Sequence, residues 1–100
     1  MELEKLQESA RRASTLLKAM SNEHRLMILC QLSQGERSVG EMERLIGLSQ
    51  SALSQHLARL RRDGLVHTRR QAQTIFYSLS GDEAEAVINT LYGLYCADQA

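Results

Sequence analysis

Two predicted helices joined by a short glycine-containing turn constrain the fold of this chain more than any other feature. The first helix opens with Ser38 and Glu41, which have the Ser-x-x-Glu spacing of a capping box, and it stops at Gly47. The second is predicted from Gln50 to Asp63 and is closed by Gly64. A helix, a tight glycine turn and a second helix are typical of a helix-turn-helix.

The residues after this helix pair predict a β-hairpin and a final helix. Residues 65–70 and 74–79 are rich in β-branched or aromatic side chains, and three residues separate the two segments. The segment from Ser80 to Glu83 repeats the capping-box spacing, which indicates the start of a last helix. Added to the helix pair, the hairpin and the helix make a winged helix-turn-helix.

The residues before the helix pair predict two further helices. Residues 3–19 carry a heptad seam that suits packing on the chain's own core or against a second subunit. The seam consists of Leu3, Leu6, Ala10, Ala13, Leu17 and Met20. A second helix is predicted to begin at Ser21 or Asn22 and to end at Gly35. We therefore expect a mainly α fold of the α+β type, with N- and C-terminal helices around the winged core.

Length and composition exclude several classes of protein. A chain of 100 residues fits one domain, residues 1–100, and is too short for a doubly wound or barrel enzyme with a pocket. It shows no nucleophile–base pair or phosphate loop, so we expect no enzyme and no cofactor. The sequence also lacks a signal-peptide core and an apolar run of the roughly 20 residues that a membrane span needs. Two cysteines in such a chain predict reduced thiols in the cytoplasm.

Charge is unevenly distributed along a chain whose net charge is zero. Residues 49–70 contain five arginines and one aspartate, which gives +4, and the remainder therefore carries −4. On charge alone, a solvated helix face explains this cluster as well as polyanion binding does. On a helical wheel, however, Leu53, Leu57 and Leu60 form a core stripe, and the opposite face is small, polar and basic, without any acid.

Such a face is what a helix entering the major groove of DNA requires. Glutamine and arginine side chains can bond base edges, and the helix N-terminus near Ser51 suits a phosphate. We expect Arg69 and Arg70 at the hairpin tip, within reach of a minor groove or a phosphate. For His56, packing against the turn and DNA contact are equally favoured. The predicted DNA-binding residues are Gln50, Ser51, Ser54, Gln55, His56, Arg59, Arg62, Arg69 and Arg70. A winged-helix module that binds only proteins is the rival hypothesis, and the charge of the face argues against it.

Two segments of the chain resemble the ArsR family of small bacterial repressors. They are residues 16–26, LLKAMSNEHRL, and residues 48–57, LSQSALSQHL, continuing to Gly64-Leu65-Val66. The resemblance covers nearly the whole chain. It implies a homodimer, joined by its first and last helices, that binds an inverted-repeat operator in double-stranded DNA.

Most members of this family sense metals, through a cysteine pair on the helix before the recognition helix or through Asp and His on the last helix. Residues 38–46 contain no cysteine here, and the predicted last helix contains no histidine. The three histidines also lack the spacing of three or four residues that would place two of them on one helical face. A metal-responsive repressor therefore remains only an alternative, and we predict no metal ligands.

Cys30 on the second helix and Cys96 at the end of the last helix resemble the thiol pair of the persulfide-sensing subgroup, the SqrR, BigR and HlyU type. From the two cysteines alone, a buried thiol that fills space is the favoured interpretation. The resemblance instead implies that a persulfide or polysulfide inducer bridges the pair and weakens operator binding. A pair held beyond the Cα separation of about 7 Å that a disulfide allows would favour a longer sulfur bridge. HlyU-type members act differently and displace a silencing protein, which leaves an activator as a further alternative.

Overall fold

The computed structural model describes residues 2–96 as five helices and three strands. In chain order they are α1 (Leu3–Met20), α2 (Glu23–Ser33), β1 (Arg37–Ser38), α3 (Val39–Ile46), α4 (Gln50–Arg62), β2 (Val66–Gln71), β3 (Thr74–Leu79) and α5 (Asp82–Tyr95). The expected winged helix-turn-helix is confirmed, with α3 and α4 as the helix pair and β2 and β3 as the wing. Within residues 2–96, none of the helices is both long and apolar enough to cross a membrane.

Side-chain caps fix where α2 and α3 begin. The Asn22 side chain accepts hydrogen bonds from the backbone N–H groups of His24 and Arg25, at 2.9 and 3.1 Å. At the start of α3, Ser38 Oγ accepts from Glu41 N at 3.2 Å, and Glu41 Oε1 accepts from Ser38 N at 3.0 Å. Both bonds of the predicted capping box are therefore present, and they satisfy N–H groups that have no partner within the helix.

The core lies beneath α4 and fixes which face of that helix is left for solvent. Leu53, Leu57 and Leu60 are buried in one cluster with Ile28 and Leu29 of α2, as the helical wheel predicts. Apolar burial contributes about 25 cal/mol per Å² of surface removed from water, so this stripe sets the rotation of α4 about its axis. The polar face of α4 consequently points away from the body of the protein.

The sheet has the strand order β1-β3-β2, with both pairings antiparallel. The wing hairpin runs from the Val66–Leu79 pair to the Gln71–Thr74 pair, and two residues form its turn. Strand β1 was not predicted. A segment of two residues is too short to show a strand pattern, and its pairing with β3 depends on the tertiary fold.

Two predictions about the end of the chain are wrong in detail. Arg69 and Arg70 lie within β2, opposite Phe76 and Ile75, and not at the hairpin tip, because β2 continues to Gln71. The capping box predicted at Ser80 does not form: the Ser80 N–H donates to the Leu65 carbonyl at 2.9 Å, which keeps Ser80 at the end of the sheet. Gly81 takes the N-cap position of α5, with φ of +84°, and it provides no side-chain cap.

The terminal helices leave apolar side chains in water on this single chain. On α1, Leu3 is 68% exposed, and Leu6 and Leu17 are also exposed although they belong to the heptad seam. On α5, Leu94 and Tyr95 are 69% and 72% exposed. The seam therefore does not pack on the chain's own core along its length; only its C-terminal end, at Met20, is buried.

Candidate DNA interface and thiol pair

The outward face of α4 presents short polar side chains to solvent. Gln50, Ser51, Ser54 and Gln55 are all exposed, and Arg62 extends from the same face. The structure thus brings together on one surface five of the residues predicted to bind DNA. A glutamine in this position can offer its amide to an adenine edge, which displays one acceptor and one donor in the major groove.

The N-terminus of α4 supplies backbone donors beside this face. Ser49 is the N-cap, and its Oγ accepts a hydrogen bond from Ala52 N at 3.2 Å. The N–H groups of Gln50 and Ser51 have no carbonyl within the helix to bond, because they belong to its first turn. These donors and the positive end of the helix dipole suit an anionic oxygen such as that of a phosphate.

Arg59 stands at the rim of the α4 face and not at its centre. It is half-buried, and its Nε lies 3.5 Å from Asp63 Oδ2 without forming a hydrogen bond. Arg62 Nε approaches the other oxygen of the same carboxylate at 3.6 Å. Asp63 therefore partly neutralises both arginines, and the free positive charge of the face is smaller than the count of arginines indicates.

His56 packs inward, which is one of the two roles that the sequence left open. It is half-buried, and its ring centroid lies 5.7 Å from that of His24 on α2. Burial lowers the pKa of His56, and the neighbouring charges of Arg25 and His24 lower it further. Spacing along the sequence could not reveal this pair, because the two histidines are on different helices. The neutral ring is thus favoured near pH 7.

The wing carries two neighbouring arginines in different surroundings. Both are exposed, but Arg69 donates two hydrogen bonds to the Glu36 carboxylate, each 2.7 Å long, and Arg70 lies one position nearer the turn. The bond from Arg69 lowers the pKa of Glu36, and the same bond raises the pKa of Arg69. Glu36 was not singled out from the sequence, since no local pattern links it to β2.

The two cysteines are both free thiols, and both are exposed. A buried space-filling role for Cys30 is therefore wrong. Desolvation raises the pKa of Cys30, and the nearby charge of Cys96 raises it further. A cavity of about 300 Å³ opens beside Cys30 between α2 and α5. Its other lining residues are Ser33, Gln34, Ile88, Asn89 and Tyr92.

Within residues 2–96, no three His, Cys, Asp or Glu side chains are grouped so that they could hold a metal ion. Soft or borderline metals need several thiolate or imidazole ligands at close quarters, and the His24–His56 pair offers only two.

Comparison with known proteins decides the family. A profile of the bacterial regulatory proteins of the ArsR family matches residues 22–68. The transcriptional activator HlyU of Vibrio cholerae serotype O1 is 57% identical over 96% of this chain and 89% of its own length. The chain belongs to the ArsR family. The biofilm growth-associated repressor of Xylella fastidiosa strain 9a5c is 43% identical over 99% of this chain and 87% of that relative.

Solved structures agree with this assignment to the ArsR family. The structure of reduced HlyU from V. cholerae N16961 matches with a TM-score of 0.90 at 57% identity, covering 94% of this chain and 99% of that one. A homodimeric winged helix-turn-helix DNA-binding domain from Mycobacterium bovis, Mb0332, matches with a TM-score of 0.78 at 26% identity, covering 98% and 89%. This member of the family is accordingly a transcriptional regulator with a winged-helix fold.

Proposed function

We propose that this regulator is a homodimeric repressor that binds an inverted-repeat operator and releases it when persulfide sulfur bridges Cys30 and Cys96. The observation that carries the proposal is the exposed polar face of α4, opposite the buried Leu53, Leu57 and Leu60. The whole chain then acts as one DNA-binding and dimerisation domain. Since operator DNA lies in the bacterial cytoplasm, the protein acts there, and double-stranded DNA is its partner.

A second copy of the chain would cover the apolar side chains of the terminal helices. Leu3, Leu6 and Leu17 on α1, and Leu94 and Tyr95 on α5, are exposed in the single chain. Large exposed apolar patches commonly mark protein interfaces. The structural relative from M. bovis is homodimeric. A two-fold pair of α4 helices would read two half-sites one helical turn apart, which explains the expectation of an inverted repeat.

The thiol switch follows from exchange chemistry at the two exposed cysteines. Each thiolate attacks the outer sulfur of a persulfide R–S–SH, gains that sulfur as Cys–S–SH, and releases the thiolate RS⁻. The outer sulfur of Cys30 then attacks the Sγ of Cys96, and HS⁻ leaves. The product is a trisulfide, Cys30–Sγ–S–Sγ–Cys96, and the persulfide sulfur is the oxidant. Support comes from the two free, exposed thiols and from a relative whose structure is described as reduced.

The test pairs intact-mass measurement with operator titration on wild type, Cys30→Ser and Cys96→Ser. After treatment with an organic persulfide, the wild type should gain one sulfur and lose two hydrogens. It should bind the DNA upstream of its own gene about 5–150-fold more weakly, the usual range of allosteric coupling. Each single variant should bind normally when reduced and should not respond. Release of DNA from either treated variant would refute the two-thiol switch.

Two alternative functions, an activator that displaces a silencing protein and a metal-responsive repressor, are distinguished from the proposed one by further measurements. The V. cholerae relative is named an activator and the X. fastidiosa relative a repressor, so a reporter gene is needed to fix the sign of regulation. An activator that displaces a silencing protein would raise reporter output only when that silencer is present. For the metal-responsive alternative, stoichiometric zinc, copper or cadmium should leave the operator complex intact. Release that a chelator reverses would favour a metal sensor instead.

A further inference from the structure

The guanidinium of Arg69 is engaged by groups from β2, from β3 and from the residue that precedes β1. Its Nε and Nη2 donate to the two oxygens of Glu36 at 2.7 Å each, and its Nη1 donates to Gln71 at 3.0 Å. The guanidinium carbon of Arg69, Cζ, lies 4.7 Å from the centre of the Phe76 ring. Ser78 Oγ bonds the same Glu36 carboxylate at 3.4 Å. Glu36 directly precedes β1, so this cluster links β1, β2 and β3.

The geometry of this pair separates it from ordinary surface ion pairs. Exposed pairs contribute little because two flexible side chains must be ordered for a screened attraction. Here two of the three guanidinium nitrogens donate to the two carboxylate oxygens, and the guanidinium lies over an aromatic ring, which is the arrangement that arginine forms and lysine cannot. The carboxylate is also held from the opposite strand by Ser78.

Arg70 is placed differently, although it is the next residue. Successive side chains of a strand point to opposite faces, so Arg70 lies on the other face of β2 from Arg69. It is exposed near the turn, opposite Ile75, and it forms no ion pair within residues 2–96. A phosphate approaching the wing would therefore meet a free guanidinium at Arg70 and an occupied one at Arg69.

We propose that Arg69 is a positioning residue, which with Glu36 fastens the wing to the body of the protein, and that Arg70 makes the wing's phosphate contact. This inference rests on the proposed DNA binding, and it replaces the earlier expectation that both arginines touch DNA. For Arg69 to reach a phosphate it would have to leave both oxygens of Glu36 and the Phe76 ring. Glu36 would then be an unpaired carboxylate facing a polyanion, which is electrostatically unfavourable.

Salt dependence distinguishes a phosphate contact from a positioning residue. Each phosphate that a protein neutralises contributes about 0.9 to the slope of log K against log salt. Arg70→Gln should therefore reduce this slope by about 0.9 per protomer. Arg69→Gln should weaken binding with little change in slope. Arg69→Lys is the most informative variant. It keeps the positive charge that a phosphate contact requires, and it loses the two parallel N–H donors that bind both oxygens of Glu36.

The experiment titrates a fluorescent duplex from upstream of the chain's own gene with the full-length protein and its variants at several salt concentrations. The variants are Arg69→Gln, Arg69→Lys, Glu36→Gln and Arg70→Gln. The inference expects Arg69→Lys and Glu36→Gln to behave like Arg69→Gln, and the Glu36→Gln/Arg69→Gln double variant to be no weaker than either single one. If Arg69→Lys binds like wild type, if Glu36→Gln binds more tightly, or if Arg69→Gln reduces the slope as Arg70→Gln does, the inference is overturned.

Amide hydrogen exchange in the free protein supplies a readout that does not need DNA. Exchange in residues 66–79 should accelerate in the Arg69 and Glu36 variants and stay at the wild-type rate in Arg70→Gln. Unchanged exchange in the Arg69 and Glu36 variants would refute the fastening role even if no duplex bound. Failure of the wild type to bind the duplex at low salt would refute the proposed function and leave the exchange result to decide the role of Glu36 and Arg69.

Discussion

Arg25 offers a test of how α1 is joined to the rest of the molecule. It is only 7% exposed, and its Nε donates to the Ala19 carbonyl at 2.7 Å, while Nη2 reaches the Lys18 carbonyl at 3.4 Å. Ala19 lies in the last turn of α1, where carbonyl groups have no partner within the helix. Burial lowers the pKa of Arg25, as does the charge of Arg59. The side chain nevertheless stays charged at neutral pH, because a guanidinium holds its proton far above that pH.

The substitution Arg25→Met keeps the length of the side chain and removes its guanidinium. A short hydrogen bond from a charged donor contributes about 1.5–3 kcal/mol, and the bond at 3.4 Å adds little. Removing the charge recovers part of its desolvation cost, which lowers the net loss. We expect the free energy of unfolding to fall by about 1.5 kcal/mol. For a domain of this size that lowers Tm by roughly 6–12 °C.

Thermal unfolding followed by far-ultraviolet circular dichroism measures this loss, with the protomer concentration fixed because the proposed dimer makes Tm concentration-dependent. Arg61→Met on α4 is the matched control, since Arg61 is exposed and the same charge is removed without a buried bond. It should change stability by less than about 0.5 kcal/mol. If Arg25→Met and Arg61→Met melt at the same temperature, the Arg25 bonds do not hold α1 to α2. NMR titration adds a second readout: the pKa of His56 should rise in Arg25→Met, because one cause of its depression is gone.

Three further predictions concern single side chains. Ser38→Ala removes the Oγ that caps α3 and should cost about 1 kcal/mol in urea unfolding; no loss would show that the cap is not needed. In Cys96→Ser, Cys30 should react with iodoacetamide more slowly than free cysteine at neutral pH, because partial desolvation of its thiol still raises its pKa; an equal rate would contradict this. His56 has a folded-state pKa below its ordinary value near 6.5, so its neutral form stabilises the fold above that pH, and the stability is lost as pH falls below it. Tm should therefore drop less on acidification from about pH 7.5 to about pH 5.5 in His56→Gln than in wild type, and an equal drop in both would contradict a buried neutral His56.

The elements that sequence analysis predicted correctly are those whose signals are local. Asn22 and Ser38 cap helices with groups two or three residues away, and Gly47 ends α3 with a φ of +83° that glycine adopts without strain. Local signals also misled. Ser80 and Glu83 have the spacing of a capping box, but the Ser80 N–H is taken by a strand carbonyl, so a tertiary hydrogen bond overrode the pattern.

The same distinction between local signals and tertiary contacts applies to the candidate site. The rotation of α4 follows from the spacing of its own leucines, and the helical wheel therefore predicted its exposed face. The partners of Arg69 and His56 could not be predicted, because Glu36 and His24 are distant in sequence and are brought near only by the packed fold. Arg25 was likewise not singled out from the sequence, because its burial on α2 depends on how α1 packs beside it.

The position of α2 indicates how the proposed sulfur bridge would reach DNA. Cys30 lies on α2, whose Ile28 and Leu29 are packed in one cluster with leucines of α4 and with Ile88 of α5. Closely packed interiors shift as units and do not deform continuously, so tying the end of α5 to α2 would move the terminal helices relative to α4.

Neither the free face of α4 nor the Glu36–Arg69 pair lies on the bridged helices. The bridge should therefore change the separation of the two reading helices in the dimer more than the contacts of each one. A duplex with a single half-site should lose little affinity on persulfide treatment, whereas the full inverted repeat should lose most of the 5–150-fold expected of allosteric coupling. Equal losses on both duplexes would show that the bridge alters the α4 surface itself.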